Sequence, residues 1–203
     1  MINNIFLDLG TNLGQGLKKF HEKFNLLNHP EWLIYCFEPN NEINIETLFP
    51  NTNNIIYENK AIWIEDKWLE FRKQGHNKDN LNGLGSKLEC VEKITNPSNC
   101  HYKIDLVQGI DFSKILKELK KKYPNTDIYV KMDIEGAEFE VINHLIQEKT
   151  INYIKELYCE CHGRFKFNSS DHDSPNIKIK INEIENKLKE NVEKNGVKFY
   201  FWD

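Results

Sequence analysis

The sequence predicts an α/β fold, with a mainly parallel central sheet, helices on both faces and a single domain. Three observations lead to this prediction. Short apolar runs alternate with helical segments, which is typical of β-α-β units. The chain has 203 residues, enough for one substantial core and too few for two comfortable domains. A glycine-containing turn directly follows the first apolar run, as it does where a strand passes into a helix.

The first half of the chain supplies three strands of the expected sheet. Its apolar runs are 5–9, 33–37 and 54–58, with a helix from about 14 to 28 between the first two. Asn40 or Asn41 is a suitable N-cap for a short helix toward Leu48. Residues 61–64 and 68–72 flank a polar turn, so we expect them to pair as a hairpin.

The second half begins with a long polar stretch and then resumes the alternation. Residues 74–99 are rich in Gly, Asn, Ser and Lys, and we expect a substrate loop or lid there, because loops of this length are usually functional. A helix is expected from Asp111 or Ser113 to Lys122. The remaining predicted strands are 101–107, 127–132, 154–161 and 197–202, and the remaining predicted helices are 137–148 and 177–194.

Composition argues against several functional classes. The net charge of −4 provides no overall positive field for a polyanion, which disfavours nucleic acid as a partner. Five cysteines without framework spacing indicate reduced thiols, as in the cytoplasm. No apolar run reaches the 18 residues of a membrane span, and the first ten residues lack signal-peptide features. We therefore expect a cytoplasmic protein with no membrane partner.

The turn after the first apolar run is the first candidate ligand site, with Asp8, Gly10, Asn12 and Gly14 in D-x-G-x-N-x-G spacing. Ligands of open α/β sheets bind at strand ends, where glycine permits close backbone approach. A dinucleotide turn requires glycine where Asn12 stands, which disfavours NAD. Asp8 suits a cationic ligand better than a pyrophosphate. A tight turn without any ligand is the alternative.

Carboxylates also end two further predicted strands. Glu38, in C-F-E-P, is placed to accept both hydrogen bonds of a ribose diol, and a helix-capping acid is the alternative. Asp133 ends a buried strand within V-K-M-D-I-E-G-A-E, whereas Glu138 fits ordinary charging of a helix N-terminus. Together with the first turn, these residues predict a nucleoside-bearing ligand without phosphates.

The end of run 154–161 offers a third group. Side chains alternate along a strand, so Glu160 and His162 share one face while Cys159 and Cys161 share the other. Glu160 and His162 are therefore expected to converge with Asp133, and these three residues are a candidate set for a divalent ion such as Mg²⁺. The two cysteines are expected to be packed thiols rather than metal ligands, because opposite facing separates them from His162.

The strings FLDLGTNLGQ, FEP and VKMDIEGAEFEVI resemble the FkbM family of S-adenosylmethionine-dependent methyltransferases. The similarity runs from about residue 5 to 162 and includes 59–62, 85–86 and 109–111. It implies a Rossmann-like class I methyltransferase fold and O-methylation, often of sugar hydroxyls in glycans. Carried over by position, Asp8, Gly10, Asn12 and Gly14 would surround the methionine part of the cofactor, Glu38 would hold the ribose, Asn59, Lys60 or Ala61 would border the adenine, and Asp133 would face the methyl group and acceptor.

The sequence departs from the family at both ends. Many members place helices before the first strand and close the sheet with a two-strand hairpin, whereas this sequence has one clear strand after its last helix. We expect either an abbreviated sheet or a domain of a larger multidomain protein. A homodimer is also open.

The function predicted from the sequence is O-methylation of a hydroxyl on a sugar or glycan, with S-adenosylmethionine as cofactor. Asp133 and His162 are the candidate bases, with Glu160 beside them, and a divalent ion that lowers the hydroxyl pKa is the alternative. Other acceptors remain open, namely a non-sugar small molecule or a phenol, and acidic charge disfavours RNA. A nucleoside-binding module without activity and an NAD-dependent sugar enzyme are the rivals from other classes.

Overall fold

Two sheets and four helices make up the part of the chain that the computed structural model describes, which is residues 1–73, 87–88, 103–167 and 174–202. The strands are β1 (Asn4–Leu9), β2 (Trp32–Phe37), β3 (Ile55–Glu58), β4 (Ala61–Trp63), β5 (Lys67–Lys73), β6 (Lys87–Leu88), β7 (Lys103–Asp111), β8 (Asp127–Met132), β9 (Ile154–Cys159) and β10 (Lys198–Phe201). The helices are α1 (Gln15–Phe24), α2 (Phe112–Lys122), α3 (Glu138–Gln147) and α4 (Pro175–Glu193).

The larger sheet has six strands in the order β10-β9-β8-β1-β2-β3, and every neighbouring pair is parallel. The predicted α/β fold with a parallel central sheet is therefore confirmed. β1 lies in the middle, with β2 on one side and β8 on the other, which creates a topological switch point between β1 and β8. Within the described residues no antiparallel strand enters this sheet, and β10 alone follows α4.

Both faces of the larger sheet are covered by helices. On one face, Leu17 of α1 packs in a cluster with Phe6 of β1. On the other face, Leu116 of α2 and Val192 of α4 belong to the cluster that contains Leu7. Alternate side chains of β1 enter opposite clusters, because successive residues of a strand point to opposite faces.

The smaller sheet has the order β4-β7-β5-β6, and it corrects one prediction. The expected hairpin of 61–64 with 68–72 is wrong, because β7 lies between β4 and β5, parallel to the first and antiparallel to the second. The polar turn explains the difference. Asp66 does not close a hairpin but accepts a hydrogen bond from the backbone N–H of Asp111 at the end of β7 (2.8 Å) and one from Lys114 (2.7 Å).

Several predicted boundaries moved for identifiable local reasons. α1 ends at Phe24 rather than near residue 28, because Asn25 adopts a left-handed conformation (φ 53°) and caps the helix. The short helix expected after Asn40 is only a 3₁₀ turn, Ile45–Thr47. Asp111 caps α2 as predicted, accepting a hydrogen bond from Ser113 N (2.8 Å).

The predicted substrate loop at 74–99 lies outside the described residues, apart from β6. In the described segments, no helix combines the length and the apolar character that a bilayer crossing requires.

Candidate functional site

The carboxyl ends of β1, β2, β8 and β9 meet at one edge of the six-stranded sheet, and polar residues concentrate there. This is the edge at which open α/β sheets bind ligands. Three of the predicted site groups lie there, namely the turn after β1, Glu38 after β2 and the acids after β8 and β9. The acidic residues of this edge are Asp8, Glu38, Asp133, Glu135, Glu138 and Glu160, and Lys131 and His162 lie among them.

Lys131 links β1 to β8, and the sequence reasoning assigned it no role. Its side chain is 3% exposed, and its ammonium donates a hydrogen bond to the carbonyl of Gly10 (2.8 Å). The same ammonium lies 3.4 Å from Asp8 Oδ1 and 3.3 Å from Asp133 Oδ2. Burial lowers the pKa of Lys131, but these two carboxylates outweigh burial and raise it, so Lys131 remains charged. A lysine inside the apolar run I-Y-V-K-M was the available signal, because lysine is rarely fully buried without partners.

Asp8 lies at the centre of the sheet and is completely buried. Neither oxygen of its carboxylate accepts a hydrogen bond from a described residue, although Lys131 lies within ion-pair distance. Burial raises the pKa of Asp8, and the nearby ammonium opposes that shift. A buried carboxylate with unused lone pairs is an uncommon feature, and it is most easily explained by a polar ligand or by an electrostatic role toward Lys131.

The two glycines of the first turn are required by the protein itself. Gly10 has φ +76°, and a Cβ there would lie 1.8 Å from the carbonyl oxygen of Asp133. Gly14 has φ +75°, and a Cβ there would lie 2.6 Å from the ring of Phe49. The close approach that the glycines permit is therefore that of β8 and of a packed aromatic ring. The two glycines are thus explained by packing within the protein and do not by themselves indicate a cofactor.

Glu38 bridges the first two strand ends. Its carboxylate accepts hydrogen bonds from the backbone N–H groups of Asn12 (2.9 Å) and Asn40 (2.8 Å). The side chain is only 6% exposed, and burial raises its pKa to about 7 despite those two donors. Each carboxylate oxygen retains a second lone pair, so the group can still accept from a ribose diol.

The three residues predicted to border an adenine differ in their exposure and in their contacts. Asn59 is exposed, and its side-chain amide donates a hydrogen bond to the carbonyl of Glu38 (2.7 Å). Lys60 forms an ion pair with Glu58 (2.8 Å). Ala61 is 3% exposed and packs in the core, so its side chain has little surface to offer a ligand.

The turn between β8 and α3 is organised by Glu138, which the sequence reasoning explained as ordinary helix charging. Glu138 is completely buried, and its carboxylate accepts hydrogen bonds from the backbone N–H groups of Ile134 (3.0 Å) and Gly136 (3.0 Å). These bonds hold two consecutive residues with positive φ, Glu135 (53°) and Gly136 (103°). Because of this turn, Asp133 and Glu135 both face the edge of the sheet while remaining 27% and 23% exposed.

His162 follows β9 and is surrounded by carboxylates. Its Nδ1 lies 3.0 Å from Glu138 Oε1, and its Nε2 lies 3.5 Å from both Glu135 Oε2 and Glu160 Oε1. Burial lowers the pKa of His162, but the hydrogen bond to Glu138 and the neighbouring carboxylates outweigh burial and raise it. A raised pKa favours the imidazolium, which disfavours the general-base role expected for this residue, because a base must be unprotonated.

The thiols behave as predicted. Cys159 is completely buried in the core cluster, Cys161 is partly buried and packs against that cluster, and their sulfurs are 3.5 Å apart. The predicted metal set of Asp133, Glu160 and His162 is modified. The three groups whose ligand atoms all lie within 4.8 Å of one another are Asp133, Glu135 and His162.

Searches of protein-family models, of curated proteins and of solved structures found no significant match to this chain. The functional proposal therefore depends on the geometry and charge of the strand-end edge and on the sequence resemblance.

Proposed function

We propose that the chain is an S-adenosylmethionine-dependent O-methyltransferase of the FkbM type, with a sugar or glycan hydroxyl as acceptor. One observation carries the proposal, namely the excess of carboxylates over cations at the carboxyl edge of the parallel sheet. The carboxylates of this edge outnumber Lys131 and His162, so the edge repels a pyrophosphate and attracts a sulfonium, because like charges repel and opposite charges attract over a few ångströms. The same edge supports a nucleoside ligand without phosphates over NAD.

The described residues fit that ligand in two respects. Asp8 has buried carboxylate oxygens without a hydrogen bond, next to the turn that would hold the methionine part. Glu38 is a buried acceptor at the end of the adjacent strand, where a ribose would lie. When bound, the cofactor would supply an electrophilic methyl group on sulfur.

The residues of the chain have separate roles in the proposed reaction. Asp133 accepts the proton of the acceptor hydroxyl, since it is the most accessible carboxylate of the central strands (27% exposed). Lys131 holds that carboxylate through Oδ2 and fixes its orientation, and correct orientation of the reacting groups supplies much of the catalysis. Glu160 and His162 lie on the acceptor side. His162 acts by position rather than as the base, since its Nδ1 is held by Glu138 and its Nε2 faces Glu135 and Glu160.

The first test is binding. Calorimetry should detect saturable binding of S-adenosylhomocysteine and none of NAD⁺ under the same conditions. Glu38→Ala should weaken this binding by about 1–3 kcal/mol, the scale of hydrogen bonds to a charged group. Glu148→Ala is the control, since Glu148 follows α3 and pairs with Lys117 on the exposed surface. Equal effects of the two substitutions, or preferential binding of NAD⁺, would contradict the cofactor proposal.

The second test is transfer. A screen of sugars with isotopically labelled cofactor should yield a methylated product that mass spectrometry detects. Asp133→Asn should abolish transfer while S-adenosylhomocysteine affinity changes less than about threefold, because the base is needed only during reaction. His162→Ala should slow transfer by about 10²-fold, the scale for loss of one positioned polar group near the reacting atoms. Cofactor binding in the absence of transfer to any acceptor would favour the alternative, a nucleoside-binding module without activity.

A further inference from the structure

We propose that Asp133, Glu135 and His162 form a binding site for a divalent cation, and that Mn²⁺ is a suitable probe for it. Two carboxylates and one imidazole are a ligand set that Mn²⁺, Fe²⁺ and Zn²⁺ accept, while Mg²⁺ prefers oxygen alone. Ligand atoms from all three residues lie within 4.8 Å of one another. Two atoms bound to one cation at about 2.1 Å are about 3.0–4.2 Å apart, so the widest pair must approach by about 0.6 Å or more when the ion binds.

The buried histidine is the observation that distinguishes this site from an ordinary acidic cluster. His162 is 2% exposed, and its Nδ1 lies 3.0 Å from the completely buried Glu138. An ionised carboxylate can only accept, so Nδ1 carries the hydrogen and Nε2 is directed toward Glu135 and Glu160. Metal-bound histidines are oriented in this way, with the far ring nitrogen donating to a carboxylate. Glu138 is thus a positioning residue for the site.

The contacts at Nε2 show that this position is suited to a cation. Both carboxylate oxygens lie 3.5 Å from Nε2, which is longer than a normal N–H···O hydrogen bond. The spacing leaves room for an ion between the ring and the acids after a small adjustment. The partial exposure of Asp133 and Glu135 provides the entry path, whereas the imidazole forms the buried wall.

The turn that carries Glu135 is built for this placement. Glu135 has φ +53°, a left-handed conformation that non-glycine residues rarely adopt, and Glu138 stabilises it through the N–H groups on either side. This conformation turns Glu135 back toward His162, 3.5 Å away. Glu135 therefore replaces Glu160 in the ligand set expected from the sequence.

The cation's role rests on the proposed function, whereas its binding does not. In the proposed transfer, an acceptor hydroxyl that binds the cation would have a lower pKa and would release its proton more easily to a carboxylate oxygen of Asp133. Binding of Mn²⁺ is measured without any cofactor or acceptor. A protein that binds Mn²⁺ but not S-adenosylhomocysteine would therefore retain the cation site and lose the methyltransferase proposal.

The experiment is a Mn²⁺ titration of the full chain, previously treated with EDTA and dialysed, followed by calorimetry and by electron paramagnetic resonance. We expect one Mn²⁺ per chain with Kd below about 1 mM, and pulsed spectra with a coupling to an imidazole nitrogen that disappears in His162→Gln. Glu135→Gln should weaken binding at least tenfold, and Glu138→Gln should do so by about 10–100-fold through loss of orientation.

Two control variants complete the test. Glu148→Gln removes an exposed carboxylate that lies about 15 Å from Glu138, at the other end of α3, and should change the Kd for Mn²⁺ less than twofold. Glu160→Gln should weaken binding less than threefold. Circular dichroism verifies that each variant is folded. Lack of saturable Mn²⁺ binding would overturn the proposal, because it would mean that Nε2 of His162 binds only a proton. A loss in Glu160→Gln as large as that in Glu135→Gln would overturn the ligand assignment.

Discussion

Replacing Lys131 by Met tests how much the ammonium between β1 and β8 contributes to the fold. The substitution keeps most of the side-chain volume but removes the cation that lies 3.4 Å from Asp8 and 3.3 Å from Asp133. At an effective dielectric constant of about 20, each contact corresponds to about 5 kcal/mol of Coulomb energy before desolvation is counted. Loss of one partner of a buried ion pair typically costs about 3–5 kcal/mol, and we expect a loss of that size at pH 7.

The effect should depend on pH in a defined direction. The pKa of Asp8 in the folded protein is already raised by burial, and loss of the ammonium should raise it further. A group with a raised folded pKa stabilises the fold below its unfolded pKa, and this stability is lost as the pH rises through the folded value. The difference in free energy of unfolding between the natural protein and Lys131→Met should therefore grow from pH 5 to pH 8.

Urea unfolding followed by circular dichroism, with EDTA present, measures both effects. Lys155→Met is the matched control, since Lys155 pairs with Asp127 on the exposed surface of the same sheet (2.6 Å) and should cost no more than about 1 kcal/mol. The double variant Asp8→Asn/Lys131→Met also lacks the buried charge of Asp8. Its free energy of unfolding should exceed that of Lys131→Met by at least about 2 kcal/mol. Equal costs for the two lysine substitutions, or a double variant no more stable than Lys131→Met, would refute the reasoning.

Three further predictions concern backbone geometry, titration and capping. Gly10→Ala should lower the free energy of unfolding in urea by more than about 3 kcal/mol, because a clash with the Asp133 carbonyl is added to the left-handed strain. Gly196 also has a positive φ (+82°) but lies in open space, so Gly196→Ala should cost only about 1 kcal/mol. Similar costs for the two variants would contradict this prediction. The natural protein should lose about 2–3 kcal/mol of stability between pH 5 and pH 8, because the pKa of Glu38 is about 7 in the folded state, above its unfolded value. Glu38→Gln should flatten that slope, and an unchanged slope would assign it to another group. Asp111→Ala should destabilise the fold by about 1–2 kcal/mol in thermal unfolding through loss of the α2 cap and of the contact with His144, and a cost below about 0.5 kcal/mol would contradict the capping role.

The strands were predictable where the chain itself contains the necessary information. β8 has the predicted bounds, because an apolar run between polar turn residues defines a buried strand locally. That β4 and β5 do not pair was not predictable, since β7, which begins thirty positions after the end of β5, lies between them. Local alternation identifies strands, but it does not identify their neighbours.

The candidate site shows the same division. Sequence position indicated that Asp8, Glu38 and Asp133 end neighbouring strands, and the structure brings them to one edge. The roles of Lys131 and Glu138 depend on which strand lies beside β8 and on the left-handed turn at Glu135, and neither can be derived from local pattern. Glu138 lies in the first turn of α3 as expected, but its burial and its hydrogen bonds to the turn could not be predicted from charge alone.

The register of the smaller sheet has a consequence for how this protein can be altered or can diverge. Lys73 at the end of β5 pairs with Lys103 at the start of β7, so the two points that flank residues 74–102 lie side by side in the sheet. Replacing residues 74–102 with a two-residue reverse turn would remove β6 and its pairing with β5 but leave the β5–β7 ladder uninterrupted. The free energy of loop closure would change by only about 2 kcal/mol, since it grows with the logarithm of length. The segment is thus a natural insertion point, where length and sequence can be exchanged between proteins without rerouting any of the other nine strands.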